Sequence, residues 1–520
     1  MFDMKRVIMF LLAYAAVTAV FASCAGKAPS QVQDPRPRII VTCDPELDDN
    51  NSMIRFLLFA TDFDIEGIVL TSSQFHWKGD GKGTTQFIPG AEYDRGNVHL
   101  GPQTEWRWYD PFMDNLLDAY DEAYANLVVH DPRYPTPDYI RSVTKVGNIY
   151  FQGDYSYDSD GSRLIKDVLL DDEPGPVFVQ AWGGASSIAA ALRSIADEYK
   201  NTPEWDAIYR KVSEKMIFCG GDQDNALNGY IRVEWPDIHV QSVSGSFMPI
   251  AYNGQDRLPD SLKFYFEPKW VSENLRIGPF GKLQRVWGDG VQYSPGDIYD
   301  YFGESGKTAD QLRSEGYVVW SNIQEKGSFL AEGDSGCFLN QIDNGLRAWQ
   351  DESWGGWSGR NATGTVNGIM TFGGDSSAQE SAVSLGRRMA SDPVLPNFFP
   401  EAMDQLAARF HWSASSNYSD CNHYPVVNGP HDICAAPGET VRIKAEAGDP
   451  DGDKLELKWW QFKVGTYSGD CSVDDPSSAE TTFTVPSDAK PGDTIHLILE
   501  ANDHGQPNLK RYLRTIITVK

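Results

Sequence analysis

The chain has 520 residues, more than one hydrophobic core normally supports, so two domains are expected. Hydrophobic residues make up 41% and charged residues 23% of it, an ordinary globular composition that excludes wholesale disorder and a polytopic membrane protein. The 45 basic and 73 acidic residues give a net charge of −28, which repels phosphate backbones and excludes nucleic acid as a partner. A neutral sugar or a cation suits this charge better.

The N-terminal residues have the pattern of an export signal. Lys5 and Arg6 precede an apolar stretch at 7–20 that is too short to span a bilayer comfortably. Small residues then lead into Cys24, as in a bacterial lipobox, so residues 1–23 are predicted to be a signal peptide and Cys24 the lipid-modified N-terminus. Cleavage without lipid is the alternative. The prediction is an exported cell-envelope lipoprotein, periplasmic or at the cell surface, that touches the membrane only through this anchor.

Strand-like and helix-like segments alternate after a polar tether at residues 25–37. The predicted strands are 38–42, 65–71, 176–181 and 215–219. The predicted helices are 53–60, 162–170 and 186–199, with later ones at 335–349, 378–389 and 400–411. This order predicts an α/β domain over 38–415, with a mostly parallel sheet flanked by helices. Functional residues are expected just beyond the carboxyl ends of the strands.

Two further regions have a different character. Residues 75–148 form a long stretch rich in Gly, Trp and Tyr with a helix at 113–129, which indicates a functional cover or a partly helical subdomain. Short strands at regular spacing predict a small Ig-like β-sandwich over 422–520. Trp459 and Trp460 point to opposite faces of one strand, so one is expected in the core, and the other is open to a sugar or an interface.

The cysteines do not predict a metal site. Cys43, Cys219 and Cys337 lie in apolar contexts and are expected to be buried, and none of the cysteines after Cys24 shows CxxC spacing. One disulfide is possible among three cysteines near the C-terminus, and the sequence does not assign it: Cys421, Cys434 and Cys471.

The strongest chemical signal is Asp44-Pro45-Glu46-Leu47-Asp48-Asp49, directly after the first predicted strand. Three aspartates within six residues repel one another, and a hard divalent cation such as Ca²⁺ resolves that conflict. The alternative is a helix N-terminus, capped by Asp48 or Asp49 and complementing the helix dipole. The motif alone leaves these two interpretations even.

The segment 42–49 resembles the Asp-x-Asp-Pro-Gly-x-Asp-Asp motif of the inosine-uridine nucleoside hydrolase superfamily, with Thr42 and Glu46 as substitutions. Segments at 67–74, 183–189, 219–221, 234–237 and 333–335 follow in the family order. The resemblance implies calcium as the cofactor, and the ligands would be Asp44, Asp49, Asp334 and the backbone carbonyl of Ser186. It implies that Asp44 is catalytic and activates water. Substrate contacts are expected from Asp48, Gln74, Glu234 and Asp237, and Trp182 would suit stacking on a sugar ring if it rims the pocket.

One departure bears on catalysis. The family's histidine, which donates a proton to the leaving base in many members, is matched by Gly333. His76, two residues beyond Gln74, is a second candidate catalytic residue, although packing beside Trp77 explains it equally simply.

A more specific resemblance extends over nearly the whole mature chain. It is to secreted two-domain proteins described as cellulose-binding, with a nucleoside-hydrolase-like domain and an Ig-like C-terminal domain. The segments that carry it are 158–162, 182–185, 332–335, 344–346, 354–360 and 422–425. The predicted function is calcium-dependent hydrolysis of a glycosidic or N-glycosidic bond in an extracellular carbohydrate-related substrate. The alternative is a surface lipoprotein that binds cellulose or another polysaccharide without cleaving it. The sequence leaves the substrate and the oligomeric state open.

Overall fold

The computed structural model describes residues 36–94, 99–241, 250–252, 258–289, 308–314, 324–360 and 396–520. The signal peptide, Cys24 and the predicted helix at 378–389 lie outside the described residues, so those predictions are not tested. The chain forms two compact units: Arg36–His423 with Gly505–Leu509, and Tyr424–His504 with Lys510–Lys520. Among the described helices, none has the length and apolar character that crossing a membrane requires.

The first unit is built on a six-stranded parallel sheet. Its strands are β1 (Arg38–Cys43), β2 (Asp64–Leu70), β3 (Thr144–Val146), β4 (Val177–Ala181), β5 (Met216–Gly220) and β6 (His239–Gln241). They lie in the order β3-β2-β1-β4-β5-β6, and every neighbouring pair is parallel. The order reverses between β1 and β4, and ligands of such sheets bind outside the carboxyl ends of the strands at this switch point.

Helices cover the sheet, as the alternating pattern predicts. The helices described in this unit are α1 (Leu47–Leu58), α2 (Phe112–His130), α3 (Pro137–Val143), α4 (Asp160–Leu170), α5 (Ser186–Tyr199), α6 (Trp205–Lys215), α7 (Arg232–Glu234), α8 (Pro268–Asn274), α9 (Gly278–Gly281), α10 (Ala309–Ser314) and α11 (Phe399–Ala414). All six residues of β1 are buried, which explains its continuous apolar and β-branched character. Apolar side chains of α4 and α5, such as Ile165 and Ile188, pack in one core with Val179 and Phe218 of the sheet.

Most predicted elements are confirmed within a few residues, and α5 begins and ends where expected. The helix predicted at 335–349 is wrong: only a single 3₁₀ turn, Ser335–Cys337, forms there. The side chain of Asn344 accepts the backbone N–H of Leu346 at 2.9 Å, and Gly345 and Arg347 have positive φ. These local hydrogen bonds and left-handed residues replace a helix with turns. Cys43, Cys219 and Cys337 are buried thiols, as expected.

The second unit is rich in strands, as predicted. Its strands are β7 (Val426–Asn428), β8 (Asp432–Ala435), β9 (Thr440–Lys444), β10 (Glu446–Gly448), β11 (Glu456–Phe462), β12 (Glu480–Thr484), β13 (Thr494–Asn502) and β14 (Lys510–Val519). A mixed sheet in the order β11-β13-β14-β8 shares one hydrophobic core with the antiparallel pair β12-β9. Trp459 lies in this core and donates its indole N–H to the carbonyl of Ser478, whereas Trp460 is half-buried.

Candidate metal centre

The acidic motif lies at the switch point of the sheet. Asp44 follows β1, and the backbone after β4 passes so close to it that a Cβ on Gly183 would lie 2.7 Å from Asp44 Oδ1. The N–H of Glu46 donates to the Asp44 carbonyl at 2.8 Å, and α1 begins one residue later. Asp48 and Asp49 are in the first turn of α1, but the N-cap residue is Glu46, so neither aspartate is the capping residue. Their carboxylates are left for another role.

Four aspartates from two distant segments converge here. Asp49 Oδ1 accepts the N–H of Asp44 at 3.1 Å, and the negative charge of Asp334 acts on Asp49. The negative charges of Asp44 and Asp48 both act on Asp334. The convergence of Asp44, Asp49 and Asp334, on which the sequence-based site depends, is therefore present.

The donor set fits a metal ion. Among the described residues, Glu46, Asp48 and Asp49 form one group with ligand atoms within 4.8 Å of one another, and Asp44, Glu46 and His76 form another. Three buried carboxylate oxygens in the cluster have no hydrogen-bond partner: Asp44 Oδ1, Asp48 Oδ1 and Asp334 Oδ2. Buried carboxylate oxygens without a partner are costly, and a cation satisfies several of them at once. Oxygen-rich sets of this kind suit a hard divalent cation.

The protonation equilibria reflect the same crowding. Burial, and then the charge of Asp44, raises the pKa of Asp48 to about 7. Burial also raises the pKa of Asp49 well above its usual range, with further contributions from Asp334, Asp44 and Asp48. The pKa of Asp334 is raised by burial and by the charges of Asp48 and Asp44. Without a cation, the centre therefore holds protons that free aspartates would have lost.

These pKa values predict how stability depends on pH when divalent cations are chelated. Between pH about 4 and about 7 the folded centre binds more protons than the same aspartates in the unfolded chain, so its contribution to stability should fall as the pH rises. From pH 5 to pH 8 the loss should be on the order of 3 kcal/mol for Asp48 alone. Thermal melts in EGTA across this range measure it, and saturating Ca²⁺ should abolish the decline. An identical slope with and without Ca²⁺ would contradict the metal centre.

Helix α1 holds the segment that carries Asp334. Asn51 donates its side-chain amide to the carbonyl of Ala331 at 2.9 Å, and the Ser52 hydroxyl accepts the N–H of Asp334 at 3.2 Å. Arg55 and Glu332 form an ion pair in which both side chains are almost fully buried. Side chains on successive turns of α1 thus position a segment that lies nearly three hundred residues away.

The glycine at position 333 is required by this packing. A Cβ at Gly333 would lie 2.0 Å from Asp48 Oδ2, and the Asp48 carboxylate is itself buried in the cluster. A histidine side chain at this position therefore has no room while Asp48 keeps its conformation. The replacement of the family's histidine by Gly333 is therefore matched to the position of Asp48.

His76 lies at the centre although it comes from a different loop. Its ring is buried, and Nδ1 is 3.2 Å from Asp44 Oδ2 and 3.8 Å from Glu46 Oε2. Asp44 Oδ2 also accepts the hydroxyl of Ser73. Gln74, in the same loop, is buried, and its amide Nε2 has no hydrogen-bond partner. The loop after β2 therefore supplies polar groups to the same side of the sheet.

Two sequence-predicted residues, Trp182 and Ser186, have their side chains or backbone N–H groups engaged elsewhere. Trp182 is buried in the core, where its ring stacks on Phe338 at 5.6 Å, so it presents no face to a sugar. The N–H of Ser186 donates to Asp224 Oδ2 at 3.0 Å, and its hydroxyl lies 3.2 Å from that of Thr71. A role for its carbonyl stays a prediction.

Glu234 and Asp237 lie at the opposite edge of the sheet. Both residues precede β6, so they are at its amino end, whereas Asp44 follows the carboxyl end of β1. Glu234 forms an ion pair with Lys200 at 2.8 Å, and Asp237 accepts the hydroxyl of Tyr209 at 2.9 Å. A strand lies between them and the carboxyl edge, which the loose motif match could not show. Neither residue is part of the proposed site.

Three residues of the site and its surroundings were missed from the sequence. Glu46, noted only as a substitution, belongs to both metal-capable groups. Tyr252 hydrogen-bonds Asp48, and burial followed by the charge of Asp48 raises the pKa of its hydroxyl. Asp224 accepts the N–H groups of Ser186 and Ala226, each at 3.0 Å, and supports the start of α5. Glu46 and Asp224 had sequence signals, because Glu46 lies within the acidic motif and Asp224 follows a strand-ending Gly-Gly. Tyr252 had none.

Comparisons with known proteins agree with this architecture. Residues 38–361 match the family model described as "Cellulose-binding Sde182, nucleoside hydrolase-like domain", and residues 440–519 match "Cellulose-binding protein Sde0182, C-terminal domain". The sheet with its acidic switch point therefore defines a nucleoside hydrolase-like domain. The chain belongs to the cellulose-binding Sde182 family.

A solved structure shows the same fold. A nucleoside hydrolase-related hypothetical protein from Saccharophagus degradans, described as associated with carbohydrate metabolism, is 24% identical with a TM-score of 0.64, and the match covers 94% of this chain and 100% of that one. A PKD domain of an M14-like peptidase from a Thermoplasmatales archaeon matches at 20% identity over 18% of this chain and 92% of its own, with a TM-score of 0.13. The effector protein XOO4466 matches at 12% identity over 60% of this chain and 81% of its own, with a TM-score of 0.28. No curated protein matches significantly.

Proposed function

We propose that this protein is a calcium-dependent hydrolase that cleaves a glycosidic or N-glycosidic bond in an extracellular carbohydrate-related substrate. The observation that carries the proposal is the group of buried carboxylate oxygens without partners on Asp44, Asp48 and Asp334, at the switch point of a nucleoside hydrolase-like sheet. Ca²⁺ would be held by Asp44, Asp49 and Asp334, with Glu46 and Asp48 within reach. When bound, it supplies positive charge to the cluster and orients a water molecule for attack.

The side chains assign the remaining roles. Asp44 Oδ2 is held by Ser73 and His76, which leaves Oδ1 to accept the proton of the attacking water. As the bond between the anomeric carbon and the leaving group breaks, the leaving group takes a proton from His76. The unpartnered amide of Gln74 and the carboxylate of Asp48 orient sugar hydroxyls. The surrounding negative charge stabilises an oxocarbenium-like transition state.

A substrate screen tests this function directly. The full-length protein is incubated with nucleosides, aryl glycosides and oligosaccharides, in Ca²⁺ and in EGTA, and released sugar is measured. The proposal requires product from at least one class in Ca²⁺ and none in EGTA. Absence of product from every class would overturn it.

His76 is expected to matter for turnover, because the proposed Ca²⁺ ligands are Asp44, Asp49 and Asp334. Replacing a proton donor of this kind typically lowers the rate by about 10²- to 10⁴-fold, so His76→Asn should reduce kcat by about 100-fold or more. The Ca²⁺-dependent rise in melting temperature should remain. His239→Asn is the matched control, because His239 is about half exposed and forms an ion pair with Glu352. A wild-type rate in His76→Asn would remove it from the mechanism.

A second function is favoured by one observation. Gly333 leaves no side chain at the position of the nucleoside hydrolase histidine, and Asp48 leaves no room for one. A surface protein that holds cellulose or another polysaccharide through Ca²⁺ without cleaving it would need no such proton donor. Pull-down on insoluble glucan without any product, in the presence of Ca²⁺, would select this alternative.

The proposed localisation and the proposed carbohydrate partner rest on the N-terminal sequence and on the family. We propose that residues 1–23 direct export and that Cys24 carries a lipid, so that the protein acts in the cell envelope on carbohydrate. Mass spectrometry of the purified membrane fraction tests this. A mature N-terminus other than an acylated Cys24 would contradict the anchor.

A further inference from the structure

A second polar cleft lies in the long segment between β2 and β3. Its volume is about 740 Å³, which falls in the range of small-molecule sites. Its lining is contributed by two stretches, 78–81 and 100–110, together with Tyr150. Neither the acidic motif nor the nucleoside hydrolase resemblance assigns it a role.

The base of the cleft is rigid. Trp77 and Trp106 exchange two backbone hydrogen bonds of 2.9 and 2.8 Å, which fix the two stretches side by side. Their buried rings pack with that of Tyr93, whose centroid lies 6.5 Å from Trp77 and 5.3 Å from Trp106. A ligand therefore meets a preformed surface, which lowers the entropic cost of binding.

Two aromatic side chains line the cleft and are held in place. Trp108 is half-buried, and its indole N–H donates to Asp110 Oδ1 at 3.0 Å. Tyr150 is 43% exposed, and its ring stacks on Tyr157 with centroids 5.2 Å apart. Ordered, partly exposed Trp and Tyr rings combine an apolar face with a polar edge, which suits the faces and hydroxyls of sugar rings.

The charges of the cleft favour a neutral ligand. Lys78 forms an ion pair with Asp110 at 2.5 Å, and Asp80 accepts hydrogen bonds from Lys82 and Thr84. The cationic and anionic side chains of the lining nearly balance. Since the whole chain carries −28, a polyanionic ligand would also be repelled at long range.

The cleft is adjacent in sequence to a residue of the metal centre. His76, which contacts Asp44, directly precedes Trp77 at the base of the cleft. Arg107 is part of the lining, and its charge acts on Tyr252, the residue that hydrogen-bonds Asp48.

We propose that this cleft binds a neutral oligosaccharide, with sugar units stacked on Trp108 and Tyr150. The inference rests on the proposed function only in taking carbohydrate as the ligand. It does not require that the centre cleaves the chain.

The test is calorimetric titration of the full-length protein in Ca²⁺ with glucose and with cellopentaose, laminaripentaose and maltopentaose. At least one pentasaccharide should bind at least 10-fold more tightly than glucose. Trp108→Ala and Tyr150→Ala should each weaken that binding by about 5- to 10-fold and leave the Ca²⁺-dependent rise in melting temperature unchanged. Phe264→Ala should change neither quantity, because Phe264 is also 43% exposed but lies outside the lining.

The outcomes separate this inference from the proposed function. If wild type binds a pentasaccharide and both variants bind it equally well, the cleft is not the site, although the metal centre is unaffected. If no pentasaccharide binds, the proposed ligand is wrong. If Ca²⁺ does not raise the melting temperature of wild type, the metal centre is overturned. The calorimetric titration of the variants does not test that centre.

Discussion

Asp334→Asn should abolish the stabilisation of this protein by Ca²⁺. Asp334 is buried beside the charges of Asp48 and Asp44, and one of its carboxylate oxygens has no hydrogen-bond partner. At a Ca²⁺ concentration about 100 times Kd, wild type should gain about 2.7 kcal/mol, and the variant should gain almost none. In EGTA the variant should be as stable as wild type or more so, because one of the repelling charges is removed. Thermal melts in Ca²⁺ and in EGTA measure both effects.

The variant should be less stable than wild type in Ca²⁺ but not in EGTA, and this difference makes the prediction specific to a cation site. A purely structural role for Asp334 would make the variant less stable under both conditions, and that result would contradict the centre. Asp237→Asn is the matched control, since Asp237 is an exposed aspartate at the other edge of the sheet. Its response to Ca²⁺ should equal that of wild type.

Glu332→Gln should destabilise the first unit by about 3 kcal/mol or more. Arg55 donates to both carboxylate oxygens of Glu332 and to the carbonyl of Ala402, and Ser335 donates to Glu332 at 2.9 Å. Both charged side chains are almost fully buried, so neutralising one leaves the other without a counter-charge in a medium of low polarity. Urea unfolding in saturating Ca²⁺ gives the change in the free energy of unfolding.

An exposed ion pair provides the control for this prediction. Glu198 accepts from Lys166 at 2.6 Å and is 50% exposed, so Glu198→Gln should cost less than about 1 kcal/mol. The double variant Arg55→Met with Glu332→Leu should recover much of the loss, because two apolar side chains leave no buried charge. If Glu332→Gln and Glu198→Gln lower the free energy of unfolding equally, the buried ion pair contributes no more to stability than the exposed one.

The fold was largely predictable because its elements depend on local patterns. The β-branched run at β1 and the helical pattern of α5 each identify an element within a few residues. The helix predicted at 335–349 failed because its apolar spacing was helical while Asn344 and Gly345 favour turns. Local hydrogen bonds decided that segment, and hydrophobic periodicity does not report them.

By itself the sequence determined the parallel sheet, the strand-rich C-terminal unit and the acidic motif at the end of β1, because each of them depends on patterns within contiguous segments. Tertiary structure decided which groups meet that motif. It brought Tyr252, which the sequence did not indicate, to the cluster together with the sequence-predicted His76 and Asp334, and it placed Glu234 and Asp237 at the far edge. The physical reason is that burial and charge repulsion act between residues that are close in space, whatever their distance in sequence. The contact between Ser52 and Asp334, for example, closes a loop of more than 280 residues, and no local sequence pattern encodes the geometry of such a loop.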